Sequence, residues 1–360
     1  MARRELSDAQ LSVVQAVRAV LPADATHIVD VRVACSGGAD SLALAAGLRW
    51  LDVHEPDPLR RSSALVVDHG LQAGSGAVAD GVVEVLGGLG LTASSVHADV
   101  RQDDPDGLEA AARKARYEAL TSGDADIVLL GHTMDDQAET VLLGLVRGSG
   151  TRSLAGMPSH WRLPEPATGG VPSASGCPGS DSGHRDAVDG RRGVVLCRPL
   201  LGLRRMTTRQ ACADWSLGPW DDPMNDDARF TRVRVRRLLP AIEDALGPGV
   251  VEALSRTASL ARADADRLDA EATALLATSL HPSGDLKVAP LLDAPDALRG
   301  RIVRQWLAGG GVTELSFERT QAVLTLVAEW HGQDGVHLPG GRRVARAGDV
   351  LRMSDGRPSG

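Results

Sequence analysis

Apolar runs and helical stretches alternate along the first part of the chain. Five apolar runs rich in β-branched residues predict buried strands: HIVDVRVAC, SALVVDHG, LTASSVHADV, DADIVLLG and GVVLCRPL. Helical spacing of apolar residues follows over 41–50, 76–89, 108–121, 135–147 and 206–215. Strands that are apolar throughout and separated by helices are typical of a parallel sheet covered on both faces. The sequence therefore predicts an α/β fold with a doubly wound parallel sheet.

Two changes of pattern interrupt and then end this alternation. Residues 159–192 are rich in Gly, Pro, Ser and Asp and lack an apolar period, which predicts a mobile insertion. From 221 onward the pattern is mainly that of amphipathic helices, and it closes in GVHLPGGRRVARAGDVLRM, which alternates around glycines like a β-hairpin. We therefore expect two domains, 1–220 and a mainly helical 221–360.

Composition limits the class of protein. With 43% hydrophobic and 24% charged residues the chain is typical of a globular protein, and we expect neither a signal peptide nor a membrane span from its apolar pattern. We expect a cytoplasmic protein without a membrane partner. A net charge of −8 argues against a general nucleic-acid coat protein, although a local basic face stays open. The cysteines form no CxxC or zinc pattern and are expected to be free thiols: Cys35, Cys177, Cys197 and Cys212.

The segment Ser36–Ser41, SGGADS, follows the first predicted strand and opens the first predicted helix after it. Glycines let the backbone approach an anion, and the helix start offers free N–H groups and a positive dipole end. Asp40 places a carboxylate beside any bound phosphate, and Mg²⁺ resolves that repulsion by bridging the two. The lysine of a Walker A loop is absent. The alternative is a plain strand-to-helix turn with an Asp cap, and the loop alone does not decide.

Polar residues also end other predicted strands. Asp68 and His69 follow the second strand, and His132 follows another, just before a helix that carries Asp136 and Glu139 three residues apart. Acidic first turns suit the helix dipole, so ordinary capping is the alternative for these carboxylates. Because parallel sheets bind ligands at the carboxyl ends of their strands, we expect these residues to lie near the glycine loop.

Two helical stretches carry spaced arginines. Arg113 and Arg116 lie three apart, where a solvated face with Glu109 paired to Arg113 is the alternative. Four more arginines fall within six residues: Arg232, Arg234, Arg236 and Arg237. A solvated helix face is the alternative here too. In an acidic protein such a cluster fits a local phosphate-binding surface better.

Together these motifs resemble a known family. SGGADS, VDHGL, LEAAARKARY and GHTMDDQAETVLLGLVRGSG are similar to the PP-loop ATP pyrophosphatases, and within them to the tRNA(Ile)-lysidine synthetases. RPLLGLRR at 198–205 and DDPMNDDARFTRVRVRRLLP at 221–240 are similar to later motifs of that family. The resemblance covers about residues 28–240 apart from the insertion, and the C-terminal part in outline.

The resemblance implies an ATP-dependent ligase. Family members cleave ATP between the α and β phosphates and attach AMP to O2 of the wobble cytidine in the isoleucine tRNA with a CAU anticodon. The amine of free L-lysine then attacks C2 and displaces AMP, which gives lysidine. A loop that cradles the departing pyrophosphate does not need the lysine with which a Walker loop holds β and γ phosphates. ATP and Mg²⁺ are the implied cofactors, that tRNA and L-lysine are the implied partners, and a homodimer stays open.

The resemblance also assigns roles to residues of this sequence. Those implied in catalysis are Asp40, Arg113, Asp136 and Arg205, with Asp40 as the metal ligand. Those implied in nucleotide binding are Ser36, Gly37, Gly38, Ala39, Asp40, Ser41, Asp68, His69, Gly131 and His132. Because the lysine ammonium needs acidic partners, Asp136 and Glu139 are the candidates for binding it. His132 is a candidate acceptor of the lysine proton, and a structural residue at the strand end is the alternative. Those implied in tRNA binding are Arg116, Arg232, Arg234, Arg236 and Arg237.

Three positions depart from the family pattern, and three rival functions stay open. Gln72 stands where the family has Arg, Thr207 where it has Glu and Val233 where it has Asn. A PP-loop tRNA thiolase would need cysteines for sulfur or an iron–sulfur cluster. An amidotransferase synthetase such as GMP synthetase would need a glutaminase partner and a different C-terminal half. A non-enzymatic nucleotide-binding regulator would have no use for DDQAET or the arginine run.

Overall fold

The computed structural model describes residues 5–70, 74–100, 108–148, 150–163, 193–312 and 315–355. Its helices are α1 Asp8–Arg18, α2 Ala39–His54, α3 Ser75–Gly88, α4 Leu108–Thr121, α5 Met134–Arg147, α6 Thr151–Leu154, α7 Arg205–Asp214, α8 Thr231–Leu246, α9 Val250–Ser279, α10 Val288–Asp293, α11 Asp296–Gly309 and α12 Phe317–Ala328. Its strands are β1 Val29–Ala34, β2 Arg60–Asp68, β3 Thr92–His97, β4 Ile127–Leu130, β5 His160–Arg162, β6 Val195–Cys197, β7 Leu286–Lys287, β8 Val336–Leu338, β9 Arg342–Ala347 and β10 Val350–Asp355.

The described residues divide into two compact units. The first holds those within 5–146, 156–163 and 193–258, and the second holds those within 147–155 and 259–355. The first unit therefore includes α8 and the start of α9, beyond the change of sequence pattern at 221. The division at 220 and 221, which rests on that change of pattern, stays a prediction.

The first unit is built on a six-stranded sheet in the order β3-β2-β1-β4-β6-β5. All pairs are parallel except β5, which runs antiparallel to β6. The chain moves outward from β1 through β2 to β3 and then returns to β4 on the other side of β1. That reversal between β1 and β4 is the point at which doubly wound sheets bind ligands. The predicted doubly wound α/β fold is confirmed.

The predicted insertion overlaps the edge of this sheet. It was expected to start at 159, but residues 160–162 form β5, whose Trp161 pairs with Leu196 of β6. The remaining residues, 164–192, lie outside the described part of the chain.

The central strands β1, β4 and β6 are covered on both faces, to which alternate residues of each strand point. On one face Val31, Val33 and Leu129 pack with apolar residues of α1, α2, α3 and α7. On the other face Val128 and Leu130 pack with residues at the end of α4. Buried on both sides, the strands leave only their ends and the loops between them to carry polar chemistry.

The second unit has its own core and its own sheet. Its four strands are antiparallel in the order β7-β10-β9-β8, and β9 and β10 form a hairpin in which Val344 pairs with Met353. Leu291, Val303, Leu326 and neighbouring apolar residues of α10, α11 and α12 form the core with these strands. Across the described part of the chain, every helix is too short or too polar to cross a bilayer.

Candidate active site

The loop 36–41 joins β1 to α2, and its glycines shape it. Gly37 has a φ of +82°, and a Cβ there would lie 2.5 Å from Cγ2 of Val82, so both backbone and space require glycine. Ser41 folds back across the loop: its hydroxyl donates to the Gly38 carbonyl (3.0 Å) and accepts from the Ser36 N–H (3.1 Å). Among the described residues no side chain caps α2, so its first-turn N–H groups are open to an anion.

The end of β4 packs directly against this loop. A Cβ at Gly131 would lie only 3.1 Å from the backbone N and Cα of Ser41, so a larger residue would push the two strand ends apart. His132 follows, and its Nδ1 is buried without a hydrogen-bond partner among the described residues. Burial, and next the nearby Arg198 guanidinium, hold the pKa of His132 well below its usual value, so the imidazole is neutral at physiological pH.

A cavity of about 850 Å³, its open mouth included, lies beside the loop. The apolar lining comes mainly from β2 and α3, and the polar side chains in the lining are Ser36, Asp68, His69, Ser75, Arg116 and Asp222. Trp220 also lines the cavity, and its backbone N–H donates to the Gly37 carbonyl at 3.0 Å. The segment after α7 is thereby fastened to the phosphate-loop backbone.

Asp68 and His69 stand at the end of β2 in the wall of this cavity. Asp68 accepts from the Gly70 N–H (2.9 Å) and lies 3.4 Å from Nδ1 of His97. Burial alone would raise the pKa of Asp68, but the hydrogen bonds from Gly70, Ser75 and His97 outweigh it and lower that pKa. Burial lowers the pKa of His69, and its Nδ1 has no hydrogen-bond partner within the described residues. The cavity wall thus presents the ionised carboxylate of Asp68 and the neutral imidazole of His69 side by side in the sequence.

Asp40, at the start of α2, faces charged side chains from α5 and α7. The Arg205 guanidinium lies 2.7 Å from Asp136, 3.1 Å from Glu139 and 3.6 Å from Asp40, measured between nitrogen and carboxylate oxygen. The spacing of three residues on α5 puts Asp136 and Glu139 on one face, and the Glu139 side chain is 0% exposed. The backbone N–H of Arg205 also donates to Asp135 (2.7 Å), which fixes the start of α7 against α5.

The carboxylates of this cluster differ in their affinity for protons. Burial raises the pKa of Asp40 to about 6, against the hydrogen bond from the Thr208 hydroxyl, which lowers it. Burial also acts on Asp136, but Arg205 and the backbone and hydroxyl of Thr133, each donating at 2.8 Å, hold its pKa below the usual value. Asp136 therefore stays ionised at neutral pH, whereas Asp40 loses its proton at a pH only slightly below neutral.

The arginines of α8 divide into two pairs. Arg236 donates to both carboxylate oxygens of Glu139, at 2.8 and 3.5 Å, and lies 3.7 Å from Asp136. Arg232 lies 3.8 Å from Glu139 and donates to the Thr140 hydroxyl. Arg234 and Arg237 are exposed and donate to nearby backbone carbonyls of the segment before α8. One pair thus joins the cluster around Glu139, and the other lies at the surface.

The chain matches two protein families along its length. The PP-loop domain family matches residues 12–242, and the TilS substrate-binding domain family matches residues 286–353. The tRNA(Ile)-lysidine synthase of Rhodococcus erythropolis is 46% identical over 319 residues, which cover 88% of this chain and 85% of the relative. The synthase of Nocardia farcinica is 47% identical over 313 residues, 86% of each chain. The chain belongs to the tRNA(Ile)-lysidine synthase family.

The family resemblance drawn from the motifs is thus confirmed, and a solved structure supports the fold. The U34-tRNA thiolase NcsA from Methanococcus maripaludis, solved with its [4Fe-4S] cluster, superposes with a TM-score of 0.50. The match covers 69% of this chain and 78% of that one at 18% sequence identity. At 18% sequence identity this superposition shows a shared fold and nothing more.

The structure gathers most of the residues predicted for a member of this family, and it adds others. Arg116 lies in the cavity wall, near the loop. The Arg113 side chain and Gln72 lie outside the described residues. Val233, where the family has Asn, is buried at 6% exposure. Trp220 and Asp222 were missed: Trp220 lies just before the later motif at 221–240, and within that motif only the arginines had been given a role.

Asp40 suits the Mg²⁺ that phosphate chemistry in this family implies. Within the described residues no group of three or more His, Cys, Asp or Glu side chains converges as a closed metal site. Mg²⁺ in phosphate-binding sites is usually held by one or two carboxylates together with phosphate oxygens and water, so a lone carboxylate beside the loop fits it. Asp40 meets this requirement, since it is the first carboxylate after the loop glycines.

Proposed function

We propose that this protein joins L-lysine to C2 of the wobble cytidine of the isoleucine tRNA with a CAU anticodon, using ATP. The reaction runs through a cytidine adenylated on O2 and releases pyrophosphate and then AMP, leaving lysidine. One observation carries the proposal: Asp40 belongs both to the phosphate loop and to the cluster with Arg205, Asp136 and Glu139. A phosphate site and an acidic site for a cationic substrate are therefore adjacent, at the switch between β1 and β4.

ATP is assigned to the cavity beside the loop. The apolar wall from β2 and α3 suits the adenine, and the N–H groups of Ser36–Ser41 and the start of α2 suit the departing pyrophosphate. We place Asp68, His69, Gly131 and His132 around the nucleotide, at the ends of β2 and β4. Mg²⁺ held by Asp40 would supply charge neutralisation on the phosphates. Arg205, and Arg113 by resemblance, would stabilise phosphate charge or orient the cytidine.

L-lysine is assigned to Asp136 and Glu139. Its amine must lose a proton before it attacks C2, and a neutral imidazole beside these carboxylates can accept one. His132 is unprotonated at neutral pH, but its lowered pKa also makes it a weak base, so its proposed role rests on its place beside Asp136. Arg116, Arg232, Arg234, Arg236 and Arg237 stay proposed contacts of the tRNA. A cytoplasmic location and a homodimer also stay proposals.

Buried thiols weigh against the rival tRNA thiolase. A thiolate is the reactive form of cysteine, and burial disfavours it. Burial raises the pKa of Cys197 and of Cys212 to about 11 each, and it also raises the pKa of Cys35. These three thiols are protonated at neutral pH, so they are poor nucleophiles for sulfur transfer.

One assay tests the proposed function. The protein is incubated with ATP, Mg²⁺, radiolabelled L-lysine and transcripts of the isoleucine and methionine tRNAs that share the CAU anticodon. We expect lysine to enter the isoleucine tRNA alone, with one AMP released per lysine. Asp40→Asn should abolish both events while leaving thermal stability close to wild type. Lysine-independent AMP release with sulfur transfer, or no ATP cleavage, would overturn the proposal.

A further inference from the structure

The carboxylates proposed to bind lysine already hold cations from the protein itself. Arg205, Arg232 and Arg236 surround Asp40, Asp136 and Glu139, so three guanidinium groups face three carboxylates. Glu139 has 0% side-chain exposure, and a buried carboxylate needs such partners. Guanidinium groups of the protein thus already occupy Asp136 and Glu139 before any substrate arrives.

An entering lysine ammonium would meet these guanidinium groups. It would place a positive charge beside guanidinium groups that already contact these carboxylates, and charges within about 4 Å of one another interact strongly where side chains are partly buried. Binding is favourable only if one guanidinium gives up its place on the carboxylates. The arginine that lysine displaces must contact both proposed lysine carboxylates and have a side chain that solvent can reach.

Arg205 is the arginine most firmly fixed. It contacts three carboxylates, its backbone N–H donates to Asp135, and its side chain is only 18% exposed. Arg232 reaches Glu139 only at 3.8 Å and is also held by the Thr140 hydroxyl. Arg205 therefore contacts both proposed lysine carboxylates but is mostly buried, and Arg232 contacts only one of them.

Arg236 meets both requirements. Its Nε lies 2.8 Å from Oε1 of Glu139, and its Nη2 lies 3.5 Å from Oε2 of Glu139 and 3.7 Å from Oδ1 of Asp136. Its side chain is 32% exposed, so solvent reaches the group that bridges the two carboxylates. Arg236 lies on α8, whereas Asp136 and Glu139 lie on α5. A change in the side-chain torsions of Arg236 would therefore remove its guanidinium from both carboxylates without moving either helix.

We infer that Arg236 occupies the cation position of the lysine site, bridging Asp136 and Glu139, and that L-lysine binds by displacing it. This inference rests on the proposed function. Arg236 thereby sets the affinity and selectivity of the site, because only a cation that makes better use of both carboxylates replaces it. The side chain of a neutral or acidic amino acid cannot form ion pairs with these two carboxylates and therefore would not displace Arg236.

The test is calorimetric titration of L-lysine into the full chain without tRNA. Arg236→Gln removes the competing charge but keeps a polar side chain, so L-lysine should bind at least about tenfold more tightly than to wild type. Arg236→Lys keeps the charge and should bind as wild type does. Arg229→Gln is the matched control, since Arg229 is 86% exposed and pairs only with Asp227 among the described carboxylates.

The outcomes separate this inference from the proposed function. Lysine affinity of Arg236→Gln equal to or weaker than wild type, in a variant that melts cooperatively, would overturn the inference. Arg236→Met, which keeps the aliphatic stem, repeats the measurement should the Gln variant not fold. If wild type ligates lysine to tRNA but the variants bind it no more tightly, only the inference fails. If wild type ligates no lysine, the proposed function fails first.

Discussion

Replacing Gly37 by alanine tests whether the phosphate loop is built as its geometry indicates. Gly37 has a φ of +82°, in the left-handed region, and an added Cβ would stand 2.5 Å from Cγ2 of Val82 on α3. Its neighbour Gly38 has a φ of −72°, and a Cβ there would meet only Ser36 Oγ, at 3.7 Å. Two adjacent glycines of one loop thus differ in both backbone and space.

The magnitude follows from two additive causes. Alanine in the left-handed region costs roughly 1–2 kcal/mol relative to glycine. Forcing a methyl group into a filled space costs roughly another 1–3 kcal/mol. Gly37→Ala should therefore lower the free energy of unfolding of the first unit by about 2–5 kcal/mol. For a unit of roughly 200 residues this corresponds to a fall in Tm of about 5–15 °C.

The assay is thermal unfolding followed by circular dichroism, with Gly38→Ala as the matched control. We expect Gly38→Ala to stay within roughly 1 kcal/mol of wild type, since its φ suits alanine and no atom crowds it. Val82→Ala combined with Gly37→Ala should recover part of the loss, because it removes the methyl groups that the new Cβ would strike. A double-mutant cycle should give a favourable coupling of about 0.5–3 kcal/mol.

Two results would refute this reasoning. If Gly37→Ala and Gly38→Ala destabilise equally, the loop does not distinguish its two glycines and the strain at Gly37 is absent. If the loss at Gly37 is large but the coupling with Val82 is zero, the backbone conformation alone requires glycine. The packing of α3 against the loop would then have no part in holding it.

Two further predictions concern the second unit and the tRNA. Asp269, 16% exposed, pairs with arginines of α6 and α11, so Asp269→Ala should lower the free energy of unfolding of that unit by about 2–4 kcal/mol. Urea unfolding should detect no such loss in Asp264→Ala on the exposed face of the same helix. Arg234→Ala with Arg237→Ala should weaken tRNA binding and reduce the slope of log affinity against log salt by about two. Filter binding across a salt series measures that slope, and an unchanged slope would count against the proposed contact.

The fold of the first unit could be predicted because its central strands are buried on both faces. β4, Ile127–Leu130, is buried at every position, and such runs between helical stretches have few interpretations other than a parallel sheet. β5 could not be predicted, because it is only three residues long, begins a Pro- and Gly-rich segment and pairs with a strand more than 30 residues further on. Short edge strands depend on a partner that local sequence does not reveal.

The acidic part of the candidate site could also be predicted from the sequence. Asp136 and Glu139 lie three residues apart on a helix, and that spacing alone places them on one face. Their contact with Arg236 could not be predicted, because α8 is almost 100 residues away in the sequence. A run of arginines has the same pattern whether it faces solvent or a buried carboxylate. Pattern indicates which side chains share a helix face, but only the tertiary fold determines what that face meets.

The use of arginine in this site follows from the proposed chemistry. The activated cytidine is attacked at C2 by a primary amine, so a lysine side chain beside it would compete with the substrate and modify the enzyme's own chain. An arginine supplies the same charge without that risk, since its guanidinium stays protonated at any working pH and is a poor nucleophile. The sequence contains only two lysines, Lys114 and Lys287, and neither is among the residues that line the cavity or the cluster around Glu139. The proposed chemistry has no use for the lysine of a Walker loop, since the γ phosphate is not the group transferred and a free amine at that place would be a rival nucleophile.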